Sequence, residues 1–124
     1  MNFLSCKMAE QLSEFRTVKN CTSQLEIALG SNKDFLTFLD RKCLINEDVY
    51  RDLRDPRSSL SKDDKASCLV LEIRRVVELK PQNYHTIMDY LRSKDQYRDI
   101  VEILDKEYQK QLQDAQPGIY VDQW

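Results

Sequence analysis

The residues of this chain that could do chemistry are a single histidine, His85, and four cysteines. A thiol and an imidazole within hydrogen-bond reach form the nucleophile and base of one class of covalent catalysis, and Cys68 with His85 is the candidate pair. Cys68, however, lies in an apolar segment, and no glycine-rich turn that could bind an oxyanion accompanies it. The Q-A-C-x-G pattern of one class of cysteine proteases is also absent. We therefore predict that the chain is not an enzyme.

Metal binding is the second chemistry to consider for the cysteines, which are Cys6, Cys21, Cys43 and Cys68. Zinc sites are usually built on at least one close pair such as C-x-x-C, and here each cysteine lies at least 15 residues from the next. The acidic run that begins at Glu47 has no EF-hand spacing. We expect no metal and no cofactor. Reduced, mostly buried thiols are typical of a cytoplasmic protein.

Charged residues form two clusters that could bind a partner. Four carboxylates alternate with arginines between positions 47 and 57, among them Asp48, Asp52 and Asp55. This pattern fits a solvated helix with pairs such as Asp48–Arg51, and it fits equally an acidic interaction face. The basic candidates are Arg16, Lys19, Arg74 and Arg75. Arginine favours ion pairs at interfaces, and solvated charge is again the alternative.

Composition excludes several partners. The chain of 124 residues has 19 basic and 21 acidic residues, a net charge of −2, and no basic stripe that would neutralise phosphates. We expect no nucleic-acid partner. No apolar run approaches the ~18 residues of a membrane span, and the first residues lack the pattern of a signal peptide. We therefore expect a cytoplasmic protein with no membrane partner.

The elements that must position these residues are helices, because glycine and proline number only 2 and 3. Apolar residues recur at helical spacing from residue 8 to residue 29, and the poor helix formers of "TVKNCTS" (17–23) predict a bend or break. Helix caps are predicted at Gly30, Asn46 and Ser61. Six helices with short connections predict an all-α antiparallel bundle.

The helix predicted after Ser61 has an unusually wide apolar face. Such a helix is expected at the centre of a bundle, since it must be covered on more than one side. We predict that Cys68 and Leu71 widen this face. Its other members are Ala66, Leu69, Val70, Ile73, Val76 and Val77.

Three segments resemble the caspase recruitment domain of the death-fold superfamily. "FLTFLDRKCLINEDVYRDLRD" (35–55) resembles the end of its second helix and the acidic start of its third. "DKASCLVLEI" (64–73) resembles its fourth helix, and "KPQNYHTIMDYLRS" (80–93) its fifth. Lys80 replaces the usual glycine, and Tyr84 and Met88 replace phenylalanines. The match covers residues 12–110, most of the chain.

The resemblance implies a six-helix death-fold bundle over residues 12–112, with residues 1–11 extending the first helix and 113–124 as a tail or linker. It also implies a homotypic interaction module of apoptotic or innate-immune signalling, which oligomerises proteins and can form filaments. In this family an acidic face near helices two and three meets a basic face on helices one and four of the next molecule. This matches Asp48, Asp52 and Asp55 with Arg16, Lys19, Arg74 and Arg75.

The partners implied are caspases, adaptors or sensors with the same type of domain, and further copies of this chain. The alternative is a helical regulatory or adaptor subunit that binds an unrelated partner through a groove and does not self-assemble.

Overall fold

A computed structural model describes residues 13–30 and 32–114 of the chain. These residues form seven α-helices and one short 3₁₀ helix, with no strand among them. The all-helical prediction is confirmed. The helices are α1 (13–20), α2 (Thr22–Leu29), α3 (Lys33–Arg41), α4 (Glu47–Arg54), α5 (Lys62–Leu79), α6 (Gln82–Arg92) and α7 (Arg98–Asp114), and the 3₁₀ helix is Asp95–Tyr97.

The predicted break in the first helix is confirmed at Cys21, which separates α1 from α2. The Cys21 N–H is shared between the carbonyls of Thr17 (3.1 Å) and Val18 (3.2 Å). The hydroxyl of Thr22 donates to the carbonyl of Lys19 at 2.8 Å. Side-chain hydroxyls that bond to the preceding turn compete with the helical ladder and bend it. The first predicted helix is therefore α1 with α2, and predicted helices two to six are α3 to α7.

Three described helices, α3, α4 and α5, begin at side-chain caps, and those at Asn46 and Ser61 confirm the predictions. The side chain of Asn32 accepts the Phe35 N–H, and that of Asn46 accepts the Asp48 N–H. The Ser61 hydroxyl accepts the Asp64 N–H at the start of α5. Each cap satisfies one of the N–H groups that have no partner in the first turn of a helix.

Two helices, α2 and α3, end at residues with a positive φ. Gly30 has φ +44° and its N–H donates to the carbonyl of Glu26, as predicted for a residue that ends a helix. Cys43 also has a positive φ, +56°, and the Leu44 N–H after it donates to the Leu39 carbonyl at 2.8 Å. This is the hydrogen bond of a Schellman motif, in which glycine usually holds the position of Cys43.

Helix α5 runs through the centre of the fold, as its apolar pattern predicts. All six core residues predicted on it are buried, and its neighbours pack on two sides. The prediction for Leu71 is wrong, because this side chain is 56% exposed. It lies about 200° around the helix from Ile73, beyond the reach of the core. Cys68 is half-buried against the core.

Neighbouring helices run antiparallel where polar contacts join them. The Lys65 ammonium, near the start of α5, donates to the carbonyl of Asp55 at the end of α4. Glu72, further along α5, accepts the N–H of Asn46 at the start of α4. α6 and α7 are joined by the Arg92–Asp105 ion pair, at 2.7 Å. The N-terminal extension predicted for residues 1–11 lies outside the described residues, as does the tail from residue 115 onward, while α7 reaches Asp114.

Candidate interaction surfaces

The acidic surface predicted on α4 is exposed to solvent and consists of Asp48, Asp52 and Asp55. The Asn46 cap sets the start of this helix, so that Asp48 lies in its first turn, where the helix dipole stabilises a carboxylate. Asp48 lies 3.8 Å from Arg51. Such an exposed pair contributes little to stability, at most ~1 kcal/mol, and can open when a partner binds.

The basic surface predicted on the first helix and α5 is only partly formed. Arg16 and Lys19 are exposed on α1. The Arg74 guanidinium lies over the ring of Phe15 on α1, 5.8 Å from its centroid. The electrostatic attraction between a cation and the face of an aromatic ring favours this position of the guanidinium. These three cations, Arg16, Lys19 and Arg74, are called the basic surface below.

Arg75 lies apart from the basic surface. Its guanidinium donates to both oxygens of Glu72, at 2.8 and 3.3 Å, and the same carboxylate accepts the N–H of Asn46 before α4. The bond to Glu72 raises the pKa of Arg75. Arg75 is therefore neutralised within its own molecule, on the α4 side of α5.

The two surfaces of opposite charge lie on different sides of α5. Glu72 and Arg74 are two residues apart, which is about 200° around a helix. Glu72 contacts the start of α4, while Arg74 contacts α1, and Ser67 on that side donates to Glu26 of α2. The acidic and basic surfaces therefore face different directions.

An open groove between α4 and α5 is a feature that the sequence analysis missed. Its lining is mostly apolar, and it has a volume of about 190 Å³. Leu71, 56% exposed, forms part of one wall. Helical periodicity could have marked this leucine as exposed, since it lies about 200° around α5 from Ile73. The lining residues are Val49, Asp52, Leu53, Leu60, Cys68, Leu71 and Glu72.

His85 does not pair with Cys68. Its Nε2 lies 3.0 Å from a carboxylate oxygen of Glu14 on α1, and its ring packs edge-on to Tyr84 and Tyr108. Cys68 faces the α4 groove instead. The nucleophile and base considered from the sequence are therefore not brought together, and the histidine joins α6 to α1.

The thiols differ in their surroundings. Burial raises the pKa of Cys21 to about 11, and the nearby carboxylate of Glu107 contributes to this shift. Cys43 is exposed. Within residues 13–30 and 32–114, no group of three histidine, cysteine or acidic residues is placed to hold a metal ion.

Comparisons with family models, with curated proteins and with solved structures returned no match. In the part of the chain that the structure describes, no helix combines the length and the apolar character required to cross a membrane.

Proposed function

We propose that this chain is a homotypic interaction module of the caspase-recruitment type, which oligomerises signalling proteins in apoptosis or innate immunity. The resemblance of residues 35–55, 64–73 and 80–93 supports this proposal, as does the broken first helix. The proposal assigns the chain no catalytic role and no cofactor. Its partners are other domains of this type, in a caspase, adaptor or sensor, and copies of itself.

The observation that carries the proposal is the separation of the two charged surfaces by α5. The acidic surface lies on α4, and the basic surface lies where α1 meets α5. When the complementary surfaces are on different sides of one molecule, each contact leaves a free surface for the next copy. Such a head-to-tail contact does not close into a two-fold dimer, and where its rotation forms no ring it extends into a filament.

The function of such an assembly is concentration of the attached domains. Joining many copies raises the effective concentration of whatever is fused to each one, without any new contact between the fused parts. The free thiols of Cys21, Cys43 and Cys68 suit the reducing cytoplasm, where we propose that the module acts.

The experiment uses two neutralised variants of the full chain. One carries Asp48→Asn, Asp52→Asn and Asp55→Asn, and the other carries Arg16→Gln, Lys19→Gln and Arg74→Gln. We expect each variant alone to stay monomeric in sedimentation velocity, because each lacks one of the two surfaces. Mixed together, they retain one intact surface of each kind and should form a one-to-one dimer that does not grow.

Arg98→Gln is the matched control, since Arg98 is an exposed arginine on α7 outside both surfaces. This variant should assemble as the wild type does. Circular dichroism and thermal melting establish that the neutralised variants are folded. The proposal is wrong if both neutralised variants still polymerise, or if their mixture grows beyond the dimer.

A second candidate function is a helical regulatory subunit that binds an unrelated partner without self-assembly. The apolar groove between α4 and α5 favours it, because grooves of this kind accept the apolar face of a partner helix. This alternative predicts a chain that remains monomeric at high concentration and low salt, with all charge variants behaving alike.

A further inference from the structure

The groove between α4 and α5 combines an apolar lining with acidic residues at its edge. The two acidic residues, Asp52 and Glu72, differ in availability. Glu72 already accepts hydrogen bonds from Arg75 and from the Asn46 N–H. Asp52 is exposed and forms no ion pair with another described residue. The groove therefore suits an apolar side chain that stands beside a single cation.

The C-terminal end of α5 offers this combination. Leu79, the last residue of the helix, is 73% exposed, and the exposed Lys80 follows it. Lys80 forms no ion pair within the described part of the chain. Ile27 on α2 is even more exposed, at 85%, but α2 contains no lysine or arginine. Leu79 is apolar like the lining of the groove, and the positive charge of Lys80 is complementary to the acidic edge of the groove.

Leu79 is not available to the groove of its own molecule. It lies eight residues beyond Leu71 on the same helix, which is about 12 Å along a rigid axis. The groove lies beside the middle of α5, since the residues of this helix that line it are Cys68, Leu71 and Glu72. A leucine at the far end of α5 can enter this groove only from a second copy.

We propose that Leu79 of one copy inserts into the α4–α5 groove of the next copy, where Lys80 pairs with Asp52. This inference rests on the proposed homotypic function and names its apolar anchor. The buried leucine excludes water from the charged contact, and ion pairs strengthen when water is excluded. Because the groove and Leu79 are separate surfaces of one copy, the proposed contact can extend head-to-tail from copy to copy.

Two substitutions test the anchor. Leu79→Ser should weaken assembly at least tenfold, measured as the concentration at which light scattering rises. Ile27→Ser is the matched control, as it removes an apolar residue of α2 that is more exposed than Leu79, and it should leave assembly unchanged. Both residues are exposed, so neither variant should lose thermal stability.

The charge pair is tested by exchange. Asp52→Lys and Lys80→Asp should each weaken assembly, while the chain that carries both should recover it, since every contact then holds the pair in reverse. Recovery is a result that misfolding cannot produce.

A cross-link reports the contact directly, because Cys68 lines the groove. In a chain with Cys6 and Cys43 replaced by serine, Leu79→Cys should give a ladder of disulfide-linked oligomers under mild oxidation. Peptide mapping should join positions 79 and 68. The ladder should vanish when Cys68→Ser is added, and it should not form with Ile27→Cys.

The outcomes separate this inference from the proposed function. If the neutralised charge variants lose assembly while Leu79→Ser and Lys80→Asp do not, the anchor is refuted and the homotypic function stands. If Cys68 is protected from alkylation in a monomeric chain, the groove is covered by the chain itself and the inference is overturned. A wild-type chain that never assembles refutes both.

Discussion

Replacement of His85 by alanine should destabilise the fold through Glu14. The Glu14 side chain is only 9% exposed, and the His85 imidazole is the partner of its Oε2 at 3.0 Å. Its other oxygen has no partner among the described residues. An imidazole that donates to this carboxylate offsets part of the cost of burying it, and without it the acceptor is left unpaired.

The magnitude follows from two contributions. A buried acceptor that loses its donor costs about 1–3 kcal/mol. The edge-on contacts of the His85 ring with Tyr84 and Tyr108, at 5.2 and 5.6 Å, add a few tenths, because the ring is 37% exposed. We expect His85→Ala to lower the free energy of unfolding by about 2 kcal/mol.

Urea unfolding at pH 7.5, followed by circular dichroism, measures this change. Glu14→Ala removes the buried carboxylate, so that His85→Ala in that background should cost only the ring contacts, about 0.5 kcal/mol. Thr86→Ala, at the next position on α6, is the matched control and should change the free energy of unfolding by less than ~0.5 kcal/mol. Equal effects of His85→Ala in both backgrounds would show that the pair contributes no coupling, and would refute this reasoning.

Three further predictions concern the fold. Gly30→Ala should lower the free energy of unfolding in urea by about 1–2 kcal/mol, because φ at this position is +44°. Cys43→Gly, at φ +56°, should raise it by up to ~1 kcal/mol. Changes of the same sign in both variants would contradict the argument from backbone conformation. Leu69→Ala should lower the free energy of unfolding by about 2–5 kcal/mol, because Leu69 is buried, and Leu71→Ala by less than ~0.5 kcal/mol, because Leu71 is exposed. Similar losses in the two variants would contradict this difference in burial. Burial raises the pKa of Cys21 from 9.0 to about 11, so the thiol ionises at lower pH in the unfolded chain than in the folded one. The free energy of unfolding should therefore fall as the pH rises from 9 to 11. Cys21→Ala should reduce this pH dependence, and an unchanged pH dependence would exclude Cys21 as its source.

Local signals were enough to predict much of the fold. The caps at Asn46 and Ser61 act on N–H groups two or three residues away, so their partners can be read from the sequence. The interior face of α5 follows from helical periodicity alone. The break at Cys21 follows from threonines whose hydroxyls bond to the preceding turn.

The parts that could not be predicted depend on contacts between distant segments. The position of Arg74 over the ring of Phe15 on α1 is one such contact, whereas the Glu72–Arg75 pair is a local i,i+3 pair within α5. The partner of His85 lies 71 residues away. No local pattern encodes such a pairing.

The sequence does not predict which helix lies beside the exposed leucines of α5. Leu71 and Leu79 each lie about 200° around α5 from a core residue two positions away, so helical periodicity places both off the core face. The contacts of α4 with α5 at Lys65 and Glu72 place Leu71 in the groove between the two helices, and Leu79 lies beyond these contacts.

The most direct test of the head-to-tail account is the size of the wild-type chain as its concentration rises at low salt. Static light scattering, with electron microscopy of the largest species, measures this size. The account predicts growth without a fixed stoichiometry into filaments, with reversal when salt screens the charged surfaces. A chain that stays monomeric, or that stops at a closed dimer, would contradict it.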